Sequence, residues 1–189
     1  MKKLLLILFL FIHLCSFSNN NFYLGFGLIG THAEVKSNHF RQIEKFNFPD
    51  FGLYYGNVIP LDNRFNIGVE VFYLNNRTVL GSDGDERFEL HQNLGFKFKP
   101  GFSIYRHSFF LSGGILGIYS FDKDEVLGYQ IDRFDESYFY GLEYNYFFSD
   151  RMSFNLGFLH TKYKLNSFYT DYSLKKFKTF HFSFHYYLY

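Results

Sequence analysis

The sequence predicts an all-β chain: an eight-stranded antiparallel up-and-down barrel that crosses a membrane. Three observations carry that prediction. Eight segments alternate large apolar residues with small or polar ones. The connections between them alternate long and short. The apolar set is also far too large to fill the inside of so narrow a barrel.

The chain opens Met1-Lys2-Lys3, runs apolar from Leu4 to Leu14 with only His13 polar, and continues Ser16-Phe17-Ser18. A basic start, an apolar run and small residues flanking a cleavage point are the marks of a secretory signal peptide, with cleavage expected after Ser18. The run holds about eleven residues, short of the roughly twenty a spanning helix needs. The division is therefore 1–18 as signal peptide and 19–189 as one barrel domain. A buried N-terminal helix is the competing reading. Lipid attachment at Cys15 is another, opposed by the bulky Leu14 just before it. Cleavage after Ser18 would remove Cys15, the one cysteine, and with it any disulfide or cysteine-based zinc site.

The first strand is read at 22–29, where Phe22, Leu24, Phe26 and Leu28 oppose Tyr23, Gly25 and Gly27. The second, 50–56, sets Phe51, Leu53 and Tyr55 against Gly52, Tyr54 and Gly56. The third, 65–74, sets Phe65, Ile67, Val69, Val71 and Tyr73 against Asn66, Gly68, Glu70 and Phe72. The fourth, 93–104, carries Leu94, Phe96, Phe98, Phe102 and Ile104 opposite Asn93, Gly95, Lys97, Lys99 and Ser103. Its phase runs through Pro100-Gly101, so Pro100 is read as a local bulge and the turn is placed at 105–108. The fifth, 109–119, is apolar on both faces, with Phe109, Leu111, Ile115 and Tyr119 against Phe110, Leu116 and Ile118. The sixth is 138–148, with Glu143 and Asn145 on its polar side. The seventh is 152–161, and the eighth sets Phe180, Phe182, Phe184, Tyr186 and Leu188 against Thr179, His181, Ser183 and His185. Side chains alternate faces along a strand, so each segment has one apolar face and one small or polar face.

Four long connections, 31–47, 75–88, 120–136 and 163–174, alternate with three short ones near 57–64, 105–108 and 149–151. In a meander, one end then holds the tight turns and both termini, and the other holds four long loops. Such asymmetry fits outer-membrane barrels, with short periplasmic turns and long outer loops. A soluble lipocalin-like barrel also alternates, with its apolar face inward. Volume argues against it, because eight strands enclose just enough room for small side chains. Charge placement agrees: the apolar faces of the clearest strands carry no Lys or Arg at mid-strand, where the cost in lipid is roughly 2–4 kcal/mol.

The pattern resembles the OmpA- and OmpX-like family of small outer-membrane barrels. The resemblance rests on the signal peptide, the opening Phe22-Tyr23-Leu24-Gly25-Phe26-Gly27, the eight alternating segments and the terminal Tyr189. It implies a C-terminal signal for the assembly machinery, here Phe182, Phe184, Tyr186, Leu188 and Tyr189. Tyr189 departs from the family pattern, since it falls out of phase with the apolar face.

Glu70, Lys97, Lys99, Glu143, His181 and His185 all take the lumen phase. Buried charge is costly unless paired, so they are read as a structural polar network that plugs the lumen, the alternative being a gate or ion path. Net charge is +1, or −1 once Lys2 and Lys3 leave with the signal, which gives no reason to expect a nucleic-acid partner. His181 and His185 share a face but stand about 13 Å apart in a strand. His32, His39, His91 and His107 have no ligand spacing, so no metal or cofactor is expected. His160-Thr161 puts its two polar residues on opposite faces, so no Ser/Thr-His-carboxylate set is found.

Lys162, Lys164, Lys175, Lys176 and Lys178 gather at the outer rim, where they are candidates to meet lipid A phosphates. The functional expectation is a monomeric, non-enzymatic outer-membrane protein of a Gram-negative-type bacterium, structural or adhesin-like, in contact with membrane lipid and lipopolysaccharide. An extracellular ligand would meet the four loops. The alternatives are a lipid A-modifying barrel enzyme and a soluble periplasmic lipocalin-like binder.

Overall fold

The computed structural model describes residues 21–37, 41–43, 47–82, 85–123, 130–163 and 172–188. The expected signal peptide, Lys164 and Tyr189 lie outside them. The strands are β1 (Phe22–Ser37), β2 (Arg41–Ile43), β3 (Asn47–Pro60), β4 (Phe65–Ser82), β5 (Asp85–Ile104), β6 (His107–Lys123), β7 (Gln130–Ser149), β8 (Met152–Tyr163) and β9 (Tyr172–Leu188). Eight of them form an antiparallel meander that β9 closes onto β1, from Phe22↔Leu188 to Ser37↔Tyr172. The short β2 pairs with Glu34–Lys36, above the last β3 partner at Thr31, so it continues the edge that β3 occupies lower down. Closure leaves no strand edge unpaired along the barrel, the condition for a sheet surrounded by lipid.

Alternation sorts the side chains. Leu24, Phe26, Leu53, Phe98, Leu111, Leu142 and Phe184 are exposed on the outer wall. Tyr23, Glu70, Lys97, Lys99, Glu143, Asn155 and His181 are buried in the lumen. In β6, Phe109 and Leu111 face out, whereas Phe110, Leu116 and Ile118 face in.

The strands overrun the bounds that alternation set. β3 continues through Asn57–Pro60, paired with Val69–Asn66, and its turn is only Leu61–Arg64. There Asp62 Oδ1 accepts the N–H groups of Arg64 and Phe65, each at 2.7 Å. The turn placed at 105–108 is Tyr105–Arg106, with Tyr105 at φ 53°. The one at 149–151 is Asp150–Arg151. Pro100 is not a bulge. The β5–β6 ladder lapses at Lys99 and Pro100 but resumes in the same register, from Phe98↔Gly113 to Gly101↔Phe110. Proline has no N–H to give that neighbour, and no extra residue is needed to absorb the loss.

At the loop end, the range 75–88 is not a loop but a ribbon, with β4 and β5 paired out to Ser82↔Asp85. β6 and β7 likewise pair out to Lys123↔Gln130. Strand β1 enters the range 31–47 as far as Ser37, and β9 begins at Tyr172 inside 163–174. Beyond the outward apolar band the alternation lapses while backbone pairing persists, so an alternation test sees only the lower part of each strand. The β3–β4 ladder stops at Phe51↔Asn75 and the β7–β8 ladder at Tyr138↔Lys162. Beyond those levels, among the described residues, the rim divides into two panels: β4 to β7, and β8 to β9 with β1 and β2.

Candidate functional site

The lumen is filled in layers. Its middle holds four opposed charges from three strands. Lys97 Nζ lies 2.6 Å from Glu70 Oε1 and 2.6 Å from Glu143 Oε1. Lys99 Nζ lies 2.7 Å from Glu70 Oε2 and 3.2 Å from Glu143 Oε2. Each carboxylate thus bridges both ammonium groups, and the cluster is neutral as a whole. Glu70 and Lys97 are direct cross-strand partners in β4 and β5, whereas Glu143 reaches in from β7.

Aromatic residues surround the charges. Tyr23 donates its hydroxyl hydrogen to Glu70 and accepts from Lys99 at 2.8 Å. Lys97 Nζ sits 4.8 Å from the Phe72 ring centroid and 5.6 Å from that of Tyr54. Lys99 Nζ sits 5.3 Å from Tyr23 and 5.5 Å from Phe110. Such contacts stabilise a desolvated cation by about 2 kcal/mol. Asn155 donates to Glu143 at 3.3 Å and to Asn145, and its Oδ1 lies 2.7 Å from His181 Nε2.

His185 stacks on Tyr23 and lies 3.0 Å from Ser183 Oγ. The Tyr54 ring lies 5.6 Å from His181 and 5.8 Å from His185, bridging two histidines that the strand holds apart. The lumen glycines supply the room: a Cβ at Gly157 would collide with the His181 ring, and one at Gly25 with that of His185.

Toward the loop end the lumen turns apolar. Phe72, Leu74, Leu116, Ile118, Phe139, Leu159 and Phe177 interleave with Asn76, His91, Asn93, Thr161 and Thr179 around a void of about 20 Å³, with Phe72 and Phe139 edge to face at 5.4 Å. Its large apolar members depart from the expected lumen of glycines and small polar groups, whereas Asn76, Asn93, Thr161 and Thr179 are of the expected kind. At the turn end, Asn66, Ser103 and Ser108 form a hydrogen-bonded chain, each step 2.6 Å.

All six lumen residues singled out from the sequence lie in one connected group. Tyr23, Tyr54, Asn145 and Asn155 belong to it too and were not singled out. Their signal was present, since each falls on the small or polar phase of its strand. Of the five rim lysines, Lys162 is exposed and Lys176 and Lys178 are half-buried, on the outward phase that they share with Phe180. Lys175 holds the alternate phase, opposite Tyr163. Phe182, Phe184, Tyr186 and Leu188 lie exposed on the outer wall. His160 is half-buried and Thr161 buried, on opposite faces. No group of three or more metal-ligating side chains occurs among the described residues.

No family model matches the sequence, and no curated protein does. Solved structures do match the fold. The attachment invasion locus protein Ail of Yersinia pestis is 14% identical, with 89% of this chain and 98% of that one covered and a TM-score of 0.55. Ail in complex with the heparin analogue sucrose octasulfate gives 14% identity, 88% and 98% coverage and a TM-score of 0.56. Neisserial surface protein A gives 10%, 88% and 97%, and 0.55. What is shared at these identities is the fold: that of the small, OmpA/OmpX-like eight-stranded outer-membrane barrels.

Proposed function

We propose, taking that fold as the premise, that the chain is an integral outer-membrane protein, exported by its N-terminal signal, whose role is surface interaction rather than catalysis. One observation carries the reading. The β4–β5 ladder runs without a break from Phe65↔Phe102 to Ser82↔Asp85. At about 3.3 Å per residue the ribbon is roughly 60 Å long, or about 45 Å along the membrane normal at the usual tilt. An apolar band of about 25 Å leaves a paired, stiff extension standing well clear of the membrane. The filled lumen beneath supports an anchoring rather than a conducting role.

A catalytic reading finds little to stand on. The Ser183–His185 hydrogen bond joins two residues buried in the lumen, where no substrate reaches. Ail has been solved with a sulfated ligand, so a sulfated polysaccharide is the first surface to try. The test expresses the chain on a non-adherent bacterium and measures attachment to immobilised heparin and to cultured cells. Replacing 77–90 and 120–136 with tight turns should abolish attachment while leaving the heat-dependent gel shift of a closed barrel. Attachment that survives both truncations, or a mass change in lipid A on expression, would overturn the reading.

A further inference from the structure

We infer that the turn-end mouth of the lumen carries a site for the carboxylate groups of an acidic periplasmic peptide, built from Arg64, Ser103 and Arg106. The inference rests on the membrane reading above, which makes this the periplasmic end, and names a partner for the face opposite the loops. Each of the three tight turns holds one arginine, and the backbone pins all three alike. Arg64 O accepts the N–H of Ser103 at 2.6 Å, Arg106 O that of Phe147 at 2.8 Å, and Arg151 O that of Tyr187 at 2.8 Å. Each bond carries a ladder one residue past Phe65↔Phe102, His107↔Tyr146 and Met152↔Tyr186. The arginines therefore share the phase of Ser103, Phe147 and Tyr187, which is the lumen phase. All three are exposed, so they rim the mouth on the side away from the surrounding lipid.

At one corner the ring becomes a clamp. Ser103 lies opposite Ser108, and Arg106 is two residues from Ser108 on the same phase. Arg64 is thus the direct cross-strand neighbour of Ser103, with Cβ atoms about 5 Å apart, and Arg106 its diagonal neighbour at about 7 Å. The β5–β6 turn fixes that spacing, since Tyr105 at φ 53° closes it in two residues. Ser103 Oγ accepts from Asn66 Nδ2 at 2.6 Å and lies 2.6 Å from Ser108 Oγ. A hydroxyl has two lone pairs and one proton. With Asn66 and Ser108 both donating, the proton of the half-buried Ser103 is left for a ligand at the mouth. Two guanidinium forks flanking a hydroxyl match the planar, two-oxygen shape of a carboxylate. The carboxylates of the turns are placed elsewhere. Asp62 Oδ1 accepts the N–H groups of Arg64 and Phe65, and Asp150 stands beside Arg151. The Tyr105–Arg106 turn contains no acid, so the positive surplus of the three turns falls at Arg106. Residues on the lumen phase face the periplasmic space and not the headgroups around the wall, which favours a peptide over a lipid.

The test uses the full chain refolded in a zwitterionic detergent and checked for its heat-dependent gel shift. Binding of N-acetyl triglutamate is measured by isothermal titration at low salt, with N-acetyl triglutamine amide as its uncharged counterpart. The acidic peptide should bind and the amide should not. Arg64→Gln and Arg106→Gln should each weaken triglutamate binding about tenfold, the loss of one charge-assisted hydrogen bond. Ser103→Ala should weaken it about fivefold, and Ser103→Thr, which keeps the hydroxyl, should not. Arg151→Gln, opposite Tyr187 and outside the clamp, should bind as the unaltered chain does.

No binding of triglutamate to the unaltered chain, or an equal loss in Arg151→Gln, overturns the site. Complete displacement by millimolar inorganic phosphate shows a free-anion site instead and overturns the peptide assignment. Retention of phosphatidylglycerol that depends on Arg64 and Arg106, with triglutamate unbound, assigns the corner to a lipid headgroup and overturns it too. If a glutamine variant lacks the gel shift, Arg64→Lys or Arg106→Lys replaces it. Each keeps the charge, removes the fork and should bind more weakly than the unaltered chain; unchanged binding in both overturns the clamp. Absence of the shift in the unaltered chain is a different failure, that of the membrane reading itself, and withdraws both.

Discussion

The ring of Tyr23 lies flat against that of His185, centroids 4.5 Å apart and planes within 13°, so that the first and last strands of the barrel are joined from inside the lumen as well as through their backbones. The same tyrosine hydroxyl links Glu70 to Lys99. Tyr23→Phe keeps the stack and removes the link. It leaves buried charged groups short of a partner, at a cost of about 1–3 kcal/mol. Tyr23→Ala also removes the ring and should cost about 3–5 kcal/mol. Urea unfolding in lipid vesicles ranks the two, and equal stability of Tyr23→Phe and the unaltered chain would contradict the hydroxyl's role.

The four central charges act as one unit. Lys97→Met leaves two carboxylates sharing Lys99, and breaking a buried ion pair in this way costs about 3–5 kcal/mol. Adding Glu143→Leu restores neutrality around the remaining Glu70–Lys99 pair and should recover most of the loss. A double-mutant cycle on unfolding free energies measures the coupling. Simple additivity of the two single changes would mean that the contacts carry no joint stabilisation.

Removing the charges should not open a pore. The layer from Phe72 to Phe177, large apolar side chains with Asn76, Asn93 and Thr161 among them, lies above them and leaves a void of only about 20 Å³, about the room of one water molecule. In planar bilayers, Lys97→Met/Glu143→Leu is expected to stay silent. Conductance is expected only when Leu116→Ser and Phe139→Ala are added. A conducting double variant would identify the charges, not the apolar layer, as the seal.

Asp62, in the β3–β4 turn, has a carboxylate held below its usual value near 3.8, first by the N–H of Phe65 and then by that of Arg64. A carboxyl group with a depressed folded pKa adds stability above its unfolded pKa, and that contribution is lost as pH falls through the folded value. Stability should therefore decline below about pH 4 with a component that Asp62→Asn abolishes. Unfolding curves of the two chains should differ at neutral pH and converge in acid. A constant gap across that range would refute the assignment.

Much of this was legible in the residue pattern, for a physical reason. Lipid enforces strict alternation, so the phases of Glu70, Lys97, Lys99 and Glu143 could be read directly. What alternation does not encode is which strands face each other across the lumen. That depends on tilt and stagger, so the sharing of both lysines by Glu70 and Glu143 was invisible. Tyr23 and Tyr54 held the inward phase, but tyrosine suits an interfacial belt as well as a lumen, and the type alone did not choose. Thr78-Val79-Leu80 favours strand but does not alternate, so the upper ribbon passed for a loop. Pro100 was read as a defect because proline usually interrupts a ladder; here it fails to donate to one neighbour only.

A continuous hoop carries load around its circumference, but among the described residues the β3–β4 and β7–β8 ladders that would complete one stop at Asn75 and Tyr138. Among the described residues, each panel is held to the other by the barrel below and not by paired backbone at its own level. A sideways pull on the β4–β5 or β6–β7 ribbon is delivered down its own ladder to its root in the barrel.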